Sequence, residues 1–82
     1  MQHDKLIGDI IKYIRVNSKL TQQELAERLY IGRSTLSDYE REKTDINFDI
    51  INNICKICGY EIIFKNKNTN DEITVDNIKR KL

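Results

Sequence analysis

Residues 20–40 read LTQQELAERLYIGRSTLSDYE, and this stretch decides the fold because it predicts two short helices with a tight break between them. Thr21 is placed to cap the first helix, and Glu24 lies three residues later, which makes a capping box. Leu20 and Leu25 flank the same start as a hydrophobic staple. The first helix therefore carries a complete local start signal.

The second helix is predicted over residues 33–40, with Gly32 as its weaker cap. Its apolar positions are Leu36 and Tyr39. The opposite stripe, at the i, i+1, i+4, i+5 spacing, is polar and consists of Arg33, Ser34, Ser37 and Asp38. Short or forked hydrogen-bonding side chains on one exposed stripe can be aimed at base edges. This is the layout of a helix that enters the major groove of DNA.

These residues carry a family resemblance. The chain resembles the helix-turn-helix domains of phage repressors and Cro, the XRE family, at Leu20-Thr21-Gln22-Gln23-Glu24-Leu25-Ala26, then at Ser34-Thr35-Leu36-Ser37 and Glu40. The register holds without a gap from about residue 6 to residue 60. The resemblance implies a mostly α fold, a repressor-type domain of four to five helices.

The chain departs from the family pattern at four positions. Tyr30 stands where the turn usually has Gly, and Gly32 stands where the cap is usually Ser or Thr. Glu42 replaces a Gly after the second helix, and Ile46 replaces a Pro. Glu42 also adds a negative charge near the expected path of the DNA.

The resemblance implies roles for individual residues. Base contacts are expected from Arg33, Ser34, Ser37 and Asp38, and phosphate contacts from Gln22, Thr35, Arg41 and Lys43. Arg15, near the end of the helix expected before residue 18, and Glu40 stand where the family often carries an ion pair. The alternative for each of these residues is a solvated surface side chain, and Asp38 can equally serve to repel wrong sites.

The rest of the chain predicts three more helices and a ribbon. The N-terminal helix is expected from about Asp4 to Asn17, and a further helix from its cap Asn47 to a stop at Gly59. Beyond Gly59 the apolar period changes to two, which predicts strands over residues 60–65 and 72–75 around a polar turn. Asp76 is expected to cap a short final helix over residues 78–82. Residues 1–60 thus form the helix-turn-helix domain and residues 61–82 an extension.

This extension is expected to hold a homodimer together. A two-stranded ribbon is marginal alone, and its apolar residues need covering: Ile62, Phe64, Ile73 and Val75. A second copy of the ribbon would cover them. The rival arrangement has the ribbon folded back on the fourth helix of its own chain.

Bulk properties set limits on the function. The net charge is only +1, and residues 21–45 carry six acidic against four basic side chains. That is weak for a nucleic-acid binder, so we expect modest and strongly salt-dependent affinity. No signal peptide and no apolar run of the roughly eighteen residues of a membrane span are present, which favours a cytoplasmic protein.

Cys55 and Cys58 form a CxxC pair, but no metal site is expected. A zinc site needs four ligands, and only His3 is available besides. Buried core cysteines are the favoured interpretation, and a metal shared across a dimer is the alternative. Without a catalytic triad or a glycine-rich phosphate loop, we expect neither an enzyme nor a cofactor.

The sequence as a whole predicts a transcription regulator. We expect a repressor that reads a pseudo-palindromic operator in double-stranded DNA with helix 33–40, acting as a homodimer. The alternative is an antitoxin or other interaction module of the same fold whose main partner is a protein, such as a toxin.

Overall fold

Five helices and one two-stranded ribbon form the described part of the chain, residues 6–82 of a computed structural model. In chain order they are α1 (Leu6–Asn17), α2 (Gln22–Leu29), α3 (Arg33–Glu40), α4 (Phe48–Cys58), β1 (Phe64–Lys65), β2 (Glu72–Ile73) and α5 (Ile78–Lys81). β1 and β2 pair antiparallel, with Phe64 opposite Ile73. The predicted mostly α fold with a C-terminal ribbon is confirmed.

The core lies between the first four helices, and each of them contributes one fully buried aliphatic side chain. These are Ile11 from α1, Leu25 from α2, Leu36 from α3 and Ile54 from α4. Burying a side chain of this size stabilises the fold by about 1.5–3 kcal/mol relative to leaving it exposed. The short helices α2 and α3 therefore depend on tertiary packing, because helices of this length are marginal alone.

The ends of α4 follow the predicted signals. The side chain of Asn47 accepts a hydrogen bond from the backbone N–H of Ile50 at 2.9 Å, so Asn47 caps the helix. At the other end Gly59 adopts φ 80°, the left-handed conformation that favours glycine after a helix.

Gly8 allows α1 to approach α3 at backbone distance. A Cβ atom on Gly8 would lie 2.4 Å from the carbonyl oxygen of Glu40, closer than real Cβ contacts. The carboxylate of Glu42 also accepts a hydrogen bond from the Gly8 N–H at 3.0 Å, near the start of α1, where the helix dipole favours negative charge. Glu42 therefore has a structural role in joining the end of α3 to α1.

The C-terminal extension differs from prediction in two ways. Only two residues of each predicted strand pair, and Ile62, which lies in the first predicted strand, packs against the helical core. Asn77, not Asp76, precedes α5. Its side-chain oxygen accepts from the backbone N–H of Thr74 at 2.9 Å, so it closes a turn rather than capping the helix.

The ribbon folds back on its own chain. The rings of Phe64 and Phe48 have centroids 6.2 Å apart, so β1 lies against the start of α4. The hydroxyl of Tyr60 accepts a hydrogen bond from Asn17 at 3.3 Å, which ties the start of the extension to α1. This is the arrangement that the sequence left open as the rival to a strand-mediated dimer.

Both cysteines of the CxxC pair are free thiols. Cys55 is buried and Cys58 is half-buried, so only the first matches the predicted core position fully. Burial, and secondarily the neighbouring Cys58, raise the pKa of the Cys55 thiol. Residues 6–82 contain no cluster of three or more metal-ligating side chains and no helix long and apolar enough to span a membrane. His3 and the predicted start at Asp4 lie outside the described residues.

Candidate nucleic-acid interface

The start of α2 has the predicted capping box. The hydroxyl of Thr21 accepts from the backbone N–H of Glu24 at 3.1 Å, and the Glu24 carboxylate accepts from the N–H of Thr21 at 2.9 Å. The hydrogen bond from the Thr21 backbone, followed by that from its hydroxyl, lowers the pKa of Glu24. Local sequence alone therefore sets where α2 begins.

The turn after α2 bends the chain sharply towards α3. Tyr30 adopts φ 59° and ψ 41°, a left-handed conformation that favours glycine. Its N–H donates to the carbonyl of Glu27, and the N–H of Ile31 donates to the carbonyl of Ala26 at 3.0 Å, the pattern of a Schellman motif. The Tyr30 side chain is 95% exposed, so it contributes little packing in return for this strain.

α3 has one buried side and one side open to solvent. Leu36 and Tyr39 are buried in the core, whereas Arg33 and Ser34 are exposed. The other residues predicted to contact DNA from this helix are half-buried: Thr35, Ser37 and Asp38. The polar stripe read from the sequence is therefore accessible along its length and most open at the start of the helix.

An ion pair holds the end of α3 to α1. Nε of Arg15 donates to Oε2 of Glu40 at 2.6 Å, and Nη2 of Arg15 donates to Oε1 at 3.1 Å. The two side chains are only 11% and 4% exposed. Nη1 of Arg15 also donates to the carbonyl of Leu20 at 3.0 Å, which places the segment before α2 in the same network.

Gln22 belongs to this network as well. Its Nε2 donates to Oε1 of Glu40 at 3.1 Å, and the residue is half-buried. The sequence predicted a phosphate contact for Gln22 and gave no sign of the bond to Glu40, which connects residues 18 positions apart. The amide group links the start of α2 to the end of α3, so the two helices are held together at this end.

The loop after α3 carries the remaining predicted phosphate contacts. Arg41 and Lys43 are exposed. A guanidinium nitrogen of Arg41 lies 3.6 Å from the Asp38 carboxylate, and the N–H of Lys43 donates to the Asp38 carbonyl at 2.9 Å. The Arg41 side chain and the backbone of Lys43 thus lie beside the end of the polar stripe.

Three of the six acidic side chains of this segment have partners within the fold. Glu24 closes the capping box, Glu40 pairs with Arg15, and Glu42 binds the start of α1. The exposed cations Arg33, Arg41 and Lys43 have no such buried partners. The surface around α3 is therefore less acidic than the residue count of the segment indicates.

Gly8 is the residue of this scaffold that sequence reasoning missed. Its close approach to Glu40 sets the position of α3 on α1 as directly as the ion pair does. The available signal was a glycine inside an apolar helical pattern, which often marks a packing requirement.

Comparison with known proteins identifies the family. A family profile described as helix-turn-helix matches residues 11–64, most of the described chain. The chain belongs to the XRE-type helix-turn-helix family. It is 34% identical over 56 residues to the immunity repressor protein of Bacillus phage phi105, a match that covers 68% of this chain and 39% of the repressor. The chain thus spans well under half of that protein.

Two solved structures of the clp gene regulator ClgR from Corynebacterium glutamicum share the fold. They superpose with TM-scores of 0.64 and 0.65 at 23% identity, covering 68% of this chain and 72% and 60% of theirs. The family and these neighbours are transcription regulators and not enzymes, which agrees with the sequence-based expectation.

Proposed function

We propose that the chain is a sequence-specific transcription regulator, a repressor that binds double-stranded DNA by placing α3 in the major groove. The observation that carries this proposal is the asymmetry of α3. Its polar stripe faces solvent, while Leu36, Tyr39 and the Glu40 ion pair hold its other side to the scaffold. A rigidly held helix with an exposed polar stripe is what base recognition requires.

The exposed side chains divide into two groups by position. Arg33, at the start of α3, has the fork geometry that pairs with guanine, and Ser34, Ser37 and Asp38 continue the same stripe. Arg41 and Lys43, in the loop after α3, are suited to phosphate contacts that set orientation without reading sequence. Thr35 and Gln22 are the other two residues that we assign to phosphate contacts. One amide hydrogen of Gln22 is bonded to Glu40, so its second amide hydrogen would bind the phosphate.

The repressor role draws on the phage relative. The match to the immunity repressor protein of Bacillus phage phi105 covers the segment that contains the interface. A homodimer follows from the size of the site, because one recognition helix reads too few base pairs to select an operator among a genome's competing sites. Two helices related by a two-fold axis would read half-sites about 34–36 Å apart on one face of the duplex.

Selection from random-sequence duplex DNA, followed by gel-shift measurement, tests the proposal. We expect an enriched pseudo-palindromic motif with half-sites about one helical turn apart. A protein-interaction module of the same fold would give no motif while a partner protein co-purifies from the native host. That pair of results would overturn the proposed function.

A further inference from the structure

One surface of the molecule is unusually apolar. Seven large apolar residues from α1, α4 and residues 60–75 lie together there, each between 38% and 66% exposed: Leu6, Ile10, Tyr13, Phe48, Tyr60, Phe64 and Val75. We call this surface the apolar face. Single exposed apolar residues are normal, but a contiguous set of this size marks an interaction site.

A groove of about 780 Å³ runs through one half of the apolar face, between α1, α4 and residues 60–64. Its walls include Ile10, Tyr13 and Phe64. Among the described residues 6–82, the charged residues that line it are Asp9 and Glu61, and both are acidic. Since the whole chain has a net charge of +1, this acidity is local to the groove.

The other half of the apolar face borders α5, a helix with three basic residues that follows the exposed Asp76. Phe48 and Phe64 also line a smaller depression of about 210 Å³ on their far side, together with Val75 and Ile78. Ile78 begins α5, which carries Lys79 and Arg80 as exposed cations, whereas Lys81 pairs with Asp71 of its own chain. The Phe48–Phe64 ring pair therefore separates the acidic groove from the side that borders α5.

We propose that a second copy of this chain docks on the apolar face, with the two-fold axis passing close to the Phe48–Phe64 pair. This inference rests on the homodimer of the proposed function and assigns its interface. In a two-fold contact, a patch on one side of the axis in one copy meets the patch that lies on the other side of the axis in its partner's own surface. An axis at the ring pair therefore places the acidic groove of each copy against the basic α5 of the other.

The charges exclude the simplest competing arrangement. If the axis ran through the groove itself, Asp9 and Glu61 of one copy would face the same carboxylates of the other. Like charges facing each other across an interface cost binding free energy. The apolar side chains provide the attraction in either case, and the charges select the register.

The exposed apolar surface is large enough for a stable dimer. An aromatic side chain can bury roughly 150–250 Å², so the four aromatic residues, about half exposed, present roughly 300–500 Å², to which the three aliphatic residues add. A standard interface buries about 800 Å² on each partner. The interface differs from the predicted pairing of ribbon edges, because strands of two residues offer few free backbone groups and Phe64 already packs on α4.

Charge reversal tests the arrangement. One variant carries Asp9→Lys and Glu61→Lys, and the other carries Lys79→Glu and Arg80→Glu. Sedimentation equilibrium without DNA, between about 1 µM and 1 mM protein, gives the dimer Kd of each. We expect each variant to dimerise at least about tenfold more weakly than the natural chain, and a mixture of the two to recover its affinity.

The mixture is the sharpest part of the test. A mixed dimer has two contacts between a groove and an α5 helix. One contact joins the unaltered groove to the unaltered α5, and the other joins the groove made basic to the α5 made acidic, so both are attractive. Matched controls are Glu27→Lys and Lys56→Glu, exposed residues outside the apolar face, which should leave Kd unchanged. Circular dichroism melts check that every variant is folded.

Three results would overturn the inference: a natural chain that stays monomeric throughout, a dimer that neither variant weakens, or a mixture that does not recover. A half-site duplex separates this from the proposed function. If monomeric variants still prefer the half-site over random DNA, base recognition stands and only the interface is wrong.

Discussion

Tyr30 is a residue whose side chain and backbone conformation are poorly matched. Its φ of 59° lies in the left-handed region, where a residue with a Cβ atom is strained by about 1–2 kcal/mol. The side chain is 95% exposed, so removing it sacrifices little packing. The strain lies in the turn that sets the direction of α3. The chain tolerates it because the two Schellman hydrogen bonds, from the N–H groups of Tyr30 and Ile31, fix the turn to the end of α2.

We expect Tyr30→Gly to stabilise the fold by about 0.5–1 kcal/mol, because relief of strain exceeds the added entropy of the unfolded chain. Urea unfolding measures the change. Tyr30→Ala is the matched control, since it removes the ring but keeps the Cβ atom. A glycine variant no more stable than the alanine variant would contradict the strain.

At Gly8 we expect a substitution to destabilise the fold, whereas Tyr30→Gly should stabilise it. Gly8→Ala should destabilise the fold by about 1–3 kcal/mol although alanine is the better helix former, because the new Cβ would lie 2.4 Å from the backbone oxygen of Glu40. Urea unfolding measures this, with Lys12→Ala on the exposed side of α1 as the control. A neutral Gly8→Ala would mean that α1 and α3 can separate freely.

At the scale of the helices, the Arg15–Glu40 pair joins α1 to the recognition helix. Both side chains are nearly buried, so removing either partner alone should cost about 3–5 kcal/mol by leaving an unpaired buried charge. A double-mutant cycle with alanine at both positions measures the coupling. The exposed Arg41–Asp38 pair is a matched control and should couple by about 0–1 kcal/mol. Coupling no larger in the buried pair than in the exposed one would show that the network does not hold α3.

The helices were predictable where the determining residues lie close together in the chain. The capping box at Thr21 and Glu24, and the cap at Asn47, involve residues three positions apart, and both formed as predicted. Features set by contacts between distant segments were not predictable. Gly8 meets Glu40, and Gln22 bonds to Glu40, through the packing of separate helices.

The ribbon illustrates the same limit. An alternating pattern over residues 60–65 predicted a longer strand, but alternation describes which side chains are apolar and not what they pack against. Ile62 packs against the helical core, and pairing begins only at Phe64. The boundaries of a strand depend on the segments that it pairs with and packs against, and these are set by tertiary contacts.

At the scale of the whole molecule, the distribution of charge decides how the protein meets DNA. Several acidic side chains near α3 have partners within the fold, whereas Arg41 lies beside the accessible carboxylate of Asp38 and Lys43 is exposed. We expect Lys43→Ala to weaken binding to all sequences alike and to reduce the slope of log affinity against log salt by roughly one. Lys67→Ala, in the exposed hairpin turn, is the control and should leave the slope unchanged. A loss that depends on sequence would contradict a phosphate contact for Lys43.

Arg33→Ala tests whether the exposed stripe of α3 reads bases. Gel-shift affinities should be measured for this variant and the natural chain on the selected operator and on random duplex DNA at one salt concentration. We expect a loss of about 1–3 kcal/mol on the operator, a smaller loss on random DNA, and relaxed preference at one base pair per half-site. Equal losses on both duplexes would contradict this expectation.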